Sequence, residues 1–270
     1  MTELFKGISD QQMVEVIDPQ LKLQVDVPWP QEAECLESHG LAAAKSVLDI
    51  GTGNGYFLCR LAERYPDKEF VGVELNEVLV RCARAEIERR KLRNVTVLEA
   101  RCPAEQVKAG FDFAFARLAL YATPESGAIL EWALARLNEG GRFAAIDLDF
   151  DRCYAFPASE AWTRMFKCMS TFGPPHGLDF AVGAKLPHML LQAGFRDIRF
   201  EQRHWFSSIG MSSRDFVSYW KSDAAHVRAI MPDLFSQADM ELFLGFVEGV
   251  GNEPEQTAFC PMFVSSGLRV

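Results

Sequence analysis

The chain has 270 residues, 49% hydrophobic and 24% charged, which is enough apolar material for a full core and too much for a disordered segment. Its formal net charge is −9 and its lysines and arginines are scattered, so no basic stripe marks it as a nucleic-acid binder. The seven cysteines form neither a C-x-x-C pair nor a Cys/His ligand spacing, and are expected to be idle thiols in a reducing cytoplasm.

Residues 1–45 read as a helical lead-in or lid, with Trp29 held between two prolines. Their start carries acids and glutamines where a secretory signal needs a basic end and an apolar run, and nowhere do about 18 uninterrupted apolar residues occur. A cytoplasmic protein with no membrane partner is expected. From Ser46 to Phe150 short apolar runs alternate with amphipathic stretches, a βαβα rhythm that predicts a parallel sheet with helices on both faces.

KSVLDI (45–50) is the first strand and YFLCRLAERY (56–65) the helix after it, stopped by Pro66-Asp67. EFVGVEL (69–75) is the second strand, and Asn76 is placed to cap the helix VLVRCARAEIERRK. Strands follow at NVTVLEA (94–100) and FDFAFARL (111–118), then a helix at 125–138 ended by Gly140-Gly141, then the strand RFAAIDLDF (142–150).

Beyond 150 the rhythm breaks. An aromatic-rich insert at 153–177 precedes a helix at 184–194 and a strand at 195–206 that takes in His204; helices are expected at 213–231 and 236–250, and a last strand within 258–270. The division is therefore 1–45 lead-in, 46–150 ligand-binding core, and 151–270 substrate-side insert with the remaining sheet, in the same domain.

The stretch VLDIGTGNGYF (47–57) ends a strand in a glycine turn that opens a helix, the arrangement that brings backbone N–H groups close to a ligand. The dinucleotide fingerprint G-x-G-x-x-G is not met, because Tyr56 stands where its third glycine belongs. Asp49, two residues before the turn, would repel a pyrophosphate but favour an ammonium or a sulfonium, which points to S-adenosylmethionine. Glu74 closes the second strand, where an acid can accept from both ribose hydroxyls.

D-I-G-T-G-N-G followed by V-G-V-E-L resembles the S-adenosylmethionine-binding core of class I, Rossmann-like methyltransferases, and LPHMLLQAGFRDIRFE resembles the tail of the small-molecule members. The resemblance implies an α/β, doubly wound, mostly parallel seven-stranded sheet with an antiparallel last strand. It also implies methyl transfer to a small-molecule O or N, with S-adenosylhomocysteine as product. It assigns Asp49, Gly51, Thr52, Gly53 and Gly55 to the methionine and ribose side, Glu74 to the ribose hydroxyls and Leu75 to the adenine face.

Arg101, Cys102 and Pro103 fall where the family reads the adenine edge, and Arg101 departs from the acid usual there. A guanidinium cannot accept from the adenine amino group, so Glu105 or a backbone carbonyl does so, or Arg101 points to solvent. Arg117 and Leu118 fall at the methionine end, with Arg117 open to two readings, a binding group or a structural ion pair. Tyr121 lies just beyond, toward the substrate.

For a proton acceptor the sequence offers His176, in the turn GPPHG, although a plain loop residue is the rival reading. Asp147, Asp149 and Asp151 alternate, which on a strand would set them on one face to hold a divalent metal or a substrate amine. The Asp-Asn pair of metal-dependent catechol-type members is absent and no metal is expected, leaving Asp149 as the acid toward the pocket. Tyr154, Phe156, Trp162, Phe166, Phe172, Trp205, Phe206 and Trp220 could wall a cavity for a flat acceptor, though half or more read as core, and Trp29 could close the cofactor side.

No Asn- or Asp-Pro-Pro-aromatic signature and no Pro-Cys nucleophile is found, which points away from nucleic acid. A homodimer is allowed. A methyltransferase acting on a protein, and a non-catalytic binding module, are the rival functions, since fold alone does not decide turnover.

Overall fold

The computed structural model describes residue 5 and residues 7–209, 211–252 and 255–270, so residues 1–4 and 6 of the lead-in lie outside the described residues. The lead-in is helical: α1 (Asp10–Gln12), a π-turn at Met13–Ile17, α2 (Asp18–Asp26) and α3 (Gln31–Ser38). Then come β1 (Ser46–Ile50), α4 (Tyr56–Arg64), β2 (Glu69–Glu74), α5 (Glu77–Arg90), β3 (Val95–Glu99) and β4 (Phe111–Arg117). After β4 follow α6 (Ser126–Arg136), β5 (Leu137–Leu148), β6 (Tyr154–Phe156), α7 (Glu160–Phe172), α8 (Leu186–Gln192) and β7 (Arg196–Arg203). The chain finishes with α9 (Ser213–Ile230), α10 (Gln237–Asn252), β8 (Thr257–Phe259) and β9 (Met262–Leu268).

Seven strands form one sheet in the order β3-β2-β1-β4-β5-β9-β7, parallel except for β9, which runs antiparallel between β5 and β7. This is the expected architecture. Strand alternation builds two cores: Val47, Phe113, Phe115, Ala144 and Ile146 face one side, while Leu48, Ile50, Ala114, Ala116 and Phe143 face the other. Asn76 caps α5 as expected, its Oδ1 accepting from the N–H groups of Val78 (3.0 Å) and Leu79 (3.1 Å).

Several boundaries differ from the sequence reading. The helix expected over 125–138 ends at Arg136, because Leu137 already pairs with Phe111, and Gly140-Gly141, expected to end it, lie inside β5. The expected last strand is two, β8 and β9, broken at Cys260-Pro261, and His204 sits one residue beyond β7. The insert at 153–177 supplies β6, which pairs with β8, and α7.

Trp162 and Phe166 of the insert pack into a helical cap rather than a cavity wall, while Tyr154 and Phe156 stand exposed on β6. Trp162 on α7 is fully buried, stacked on Phe243 at 5.7 Å and edge-on to Trp220 at 5.0 Å, with Phe166 and Phe216 closing the cluster. Their spacing of about four residues on α7 and α9 turns them into the seam between helices. All seven cysteines are free thiols.

Candidate functional site

The carboxyl ends of β1, β2 and β4 meet where the strand order reverses between β1 and β4, the place where open α/β sheets form a crevice. A cavity of about 410 Å³ opens there. The glycine turn forms its floor: Gly51, Gly53 and Gly55 all have positive φ, at +77°, +57° and +68°. A Cβ on Gly51 would come within 2.9 Å of the Ala119 Cβ, so the turn can approach that wall only as glycine. Gly55 caps α4 in the left-handed conformation and stands outside the cavity lining.

The amides of this turn are already engaged. Gly51 and Thr52 donate to the Val73 carbonyl at 2.9 and 3.0 Å, and Gly53 donates to Glu74 Oε2 at 2.9 Å. Unlike a phosphate cradle, the turn therefore has these three donors committed to β2, in agreement with the exclusion of a dinucleotide. The other oxygen of Glu74 accepts from Leu75 and Asn76, both at 2.8 Å, which fixes the carboxylate at the rim of β2.

Asp49 is 2% exposed, and burial pushes its carboxyl up to about 7, with Arg117 opposing and Glu74 adding to the rise. Burial likewise raises Glu74, against the backbone N–H groups it accepts. Thr52 Oγ1 lies near Asp49 but outside hydrogen-bonding geometry, leaving a buried polar atom without a partner. A cavity with two raised acids and an orphan hydroxyl suits a ligand that brings a positive charge and hydrogen-bonding groups.

Asp49, Gly51, Thr52, Gly53, Glu74, Leu75, Arg101, Cys102, Arg117, Leu118 and Tyr121 all line this one cavity. Pro103 and Glu105 do not. Arg101 turns outward to Glu125 at 3.4 Å, with both side chains exposed. Arg117 combines both of its readings: it faces the cavity, and it pairs with Glu32 at 2.7 Å and donates to the Gln24 carbonyl at 2.6 Å. Leu118 has φ +49°.

The catalytic expectations fare differently. Tyr121 faces the cavity; burial, then the carboxylates of Asp147 and Asp223, raise its phenol well above the usual range. His176 stands outside the lining, stacked on Phe172 at 3.9 Å with Nδ1 against the Phe172 carbonyl at 2.8 Å, because its turn folds back on the end of α7. Asp149 is also outside the lining; it pairs with Arg152 at 3.0 Å and accepts from the Ala184 N–H at 3.4 Å.

The alternation of acids ends at Asp149, since Asp151 lies in a helical turn over Phe150–Arg152. Asp147 accepts from the N–H groups of Leu120, Tyr121 and Leu148 at 2.9 to 3.2 Å, so it shapes the loop after β4. Trp29 is absent from the lining too, packing edge-on to Phe57 at 6.0 Å beneath the Arg60 guanidinium. None of the eight aromatic residues expected to wall an acceptor pocket lines the cavity.

Other residues close it. Leu21, Gln24 and Val25 of α2 roof the turn, joined by Phe5, and Asn54 ties that roof down by donating to Asp18 Oδ1 at 2.8 Å. His226 enters from α9; it is 6% exposed, its Nδ1 has no partner, and burial lowers its pKa to about 4. The sequence carries no signal for His226, because its place depends on how α9 folds back over the sheet.

A family model described as "Methyltransferase domain" matches residues 41–180. A tRNA (guanine-N(7)-)-methyltransferase of Thermotoga maritima is 43% identical over 56 residues, which is 21% of this chain and 18% of that protein. Phosphoethanolamine N-methyltransferase 2 of Haemonchus contortus, solved with phosphomonomethylethanolamine and S-adenosylhomocysteine, superposes with a TM-score of 0.57 at 17% identity. The superposition covers 88% of this chain and 52% of that one, so this chain spans about half its length. The [4+2]-cyclase SpnF superposes with a TM-score of 0.60 at 19% identity, covering 96% of both chains.

Proposed function

This chain belongs to the methyltransferase-domain family, and on that premise we propose that it moves the methyl group of S-adenosylmethionine to an oxygen or nitrogen of a small molecule. S-adenosylmethionine supplies the electrophile, a methyl group on a positively charged sulfur. Asp49 and Thr52 hold its methionine side beside the glycine turn, Glu74 receives the ribose hydroxyls, and Leu75 with Cys102 flanks the adenine. Arg117 acts as a strut between β4 and the α2–α3 lead-in, which holds the α2 roof over the cavity.

The acceptor enters between Tyr121 and His226, beneath the α2 roof that shields the site from water. His226 stays neutral at physiological pH, so an imidazole nitrogen is free to take a hydrogen bond from the acceptor and, where an O–H is methylated, the proton of the strongly acidic oxonium that forms. It takes the place that the sequence reading gave to His176 or Asp149.

The observation that carries the small-molecule reading is the cavity itself. At about 410 Å³ it is of the size that holds small ligands, and it is roofed by helices from both halves of the chain. Its two arginines are each paired with an acid, and the net charge of −9 offers no track for a phosphate backbone. The protein is supplied with methyl-labelled S-adenosylmethionine and three acceptor pools: a metabolite extract, total tRNA and a proteome. Label in the low-mass fraction is expected; label confined to RNA or protein overturns the small-molecule reading.

A further inference from the structure

We propose that Cys35, His39 and Glu201 form a zinc site that fastens the helical lead-in to the edge of the sheet. The site lies outside the cavity lining, and the inference does not rest on the methyl-transfer reading.

Cys35 and His39 stand one turn apart at the end of α3, where the His39 N–H donates to the Cys35 carbonyl at 3.1 Å, so both side chains leave the same face. Glu201 comes from β7, 162 positions after His39. Its Oε1 accepts from the Cys35 thiol at 2.8 Å and lies 3.1 Å from His39 Nε2, and the three ligand atoms fall within 4.8 Å of one another. Among the described residues no other group of three Cys, His, Asp or Glu side chains gathers so closely.

A tetrahedral zinc holds sulfur at about 2.3 Å and nitrogen or oxygen at about 2.1 Å, which sets its ligand atoms roughly 3.4–3.6 Å apart. The observed contacts are tighter by less than about 1 Å. Glu201 has 30% of its side chain exposed, so it can swing outward to admit the ion and leave a fourth position to water. The sequence reading expected no metal, because the third ligand arrives only when β7 folds beside α3.

The surroundings fit this set of ligands. His39 Nδ1 meets Ser266 Oγ of β9 at 2.7 Å, which orients the ring and leaves Nε2 as the ligand nitrogen. Arg203 donates to Glu201 Oε2 at 2.7 Å and so turns Oε1 toward the other two ligands. Arg142 and Arg199 also act on the imidazole, but Arg142 pairs with Asp197, and Arg199 donates to the Ser38 carbonyl at 3.1 Å.

A thiolate and a carboxylate cancel the charge of a divalent ion, and thiolate with imidazole selects zinc over magnesium or calcium. Binding forms S–Zn, N–Zn and O–Zn bonds and sends the thiol proton to solvent. Without the ion, burial and the Glu201 carboxylate keep that thiol protonated, opposed by Arg203, whose Nε is buried with no partner. Glu32 precedes Cys35 by three residues on α3 and pairs with Arg117 of the cavity wall, so an ion here steadies the lead-in from its far side.

The test uses the full chain, freed of metal and kept reduced, and titrated with zinc(II) against a chromophoric chelator. One equivalent bound with Kd below about 1 µM is expected, together with a rise in Tm. Cobalt(II) in its place should show thiolate-to-cobalt charge-transfer absorption in the near ultraviolet. Cys35→Ser and Glu201→Gln should each weaken zinc binding at least tenfold, and Cys35→Ser should remove the cobalt band.

The rival thiol site is Cys153 with Cys260, whose sulfurs lie 3.1 Å apart, so Cys153→Ser should leave zinc affinity within twofold. X-ray absorption of the zinc-loaded wild-type chain should find one sulfur and one imidazole around the ion. Weaker binding, two sulfurs around the ion, or zinc affinity unchanged in Cys35→Ser overturns the proposal. If a variant does not fold, the ligand count on the wild-type chain decides alone.

Discussion

Three carboxyl groups, Asp49, Asp147 and Asp223, are each held up at about 7 by burial, and together they set how stability responds to pH. A carboxyl whose folded pKa lies above its unfolded value keeps a proton in the folded state that the unfolded chain has released. Acidification through about pH 7 therefore stabilises the fold, and stability is lost as pH rises. Lowering pH from 7.5 to 6.5 gives about 0.7 kcal/mol per group, about 2 kcal/mol for the three.

His39 and His226 act against this, because burial lowers both and the unfolded chain takes up protons at pH 6.5 that the folded chain refuses. His226 subtracts about a third of a kcal/mol, and His39 acts in the same direction. The buried thiols of Cys35, Cys59 and Cys102 are raised and add a smaller term in the same direction as the carboxyls. The net expectation is about 1.5 kcal/mol more stability at pH 6.5 than at pH 7.5, a rise of roughly 3 °C in Tm.

Guanidinium denaturation of the ligand-free protein at the two pH values, followed by tryptophan fluorescence, measures it. Asp147→Asn should remove about a third of the carboxyl contribution. Stability that is flat or falling on acidification would refute the reasoning, because it would mean that these acids are not confined as described.

Asp49→Ala and Glu74→Ala should each weaken S-adenosylmethionine binding at least tenfold, about 1.4 kcal/mol, as read by calorimetry. Gly55→Ala should destabilise the fold by about 2 kcal/mol or more, since its φ is +68° and its Cβ would meet the Ala83 Cβ at 2.7 Å; thermal melts check this. His176→Ala should keep wild-type turnover, whereas His226→Asn should lower kcat at least tenfold once an acceptor is in hand. Arg117→Met should cost about 3–5 kcal/mol by leaving the Glu32 carboxylate buried and alone, and adding Glu32→Leu should recover most of the loss.

The sheet was legible in the sequence because strand and helix periods are local, and β1 through β4 fall within a residue of their expected places. The cavity wall was legible for the same reason: Asp49 and Glu74 lie at the carboxyl ends of adjacent parallel strands, so their convergence follows from the register that sets Ile50 against Val73. The acceptor end was not. His226 reaches it only because α9 folds back against α2, where Gln20 donates to Asp223 across a separation of 203 positions that no local pattern encodes.

The aromatic insert misled for a related reason. A run of large rings looks alike whether it walls a cavity or joins helices, and the packing of α7 against α9 and α10 decides between them. The failure of His176 is smaller in scale, a turn that folds toward α7 instead of over the sheet.

The antiparallel strand β9 occupies the slot between β5 and β7, yet it follows both of them in sequence. Until Met262–Leu268 emerges from the ribosome, β5 presents an unpaired rim of N–H and C=O groups, and β7 has no neighbour in the sheet. A polypeptide in which β9 has not yet paired is thus exposed to strand-mediated aggregation, and deleting Met262–Leu268 should yield insoluble protein rather than a weaker enzyme.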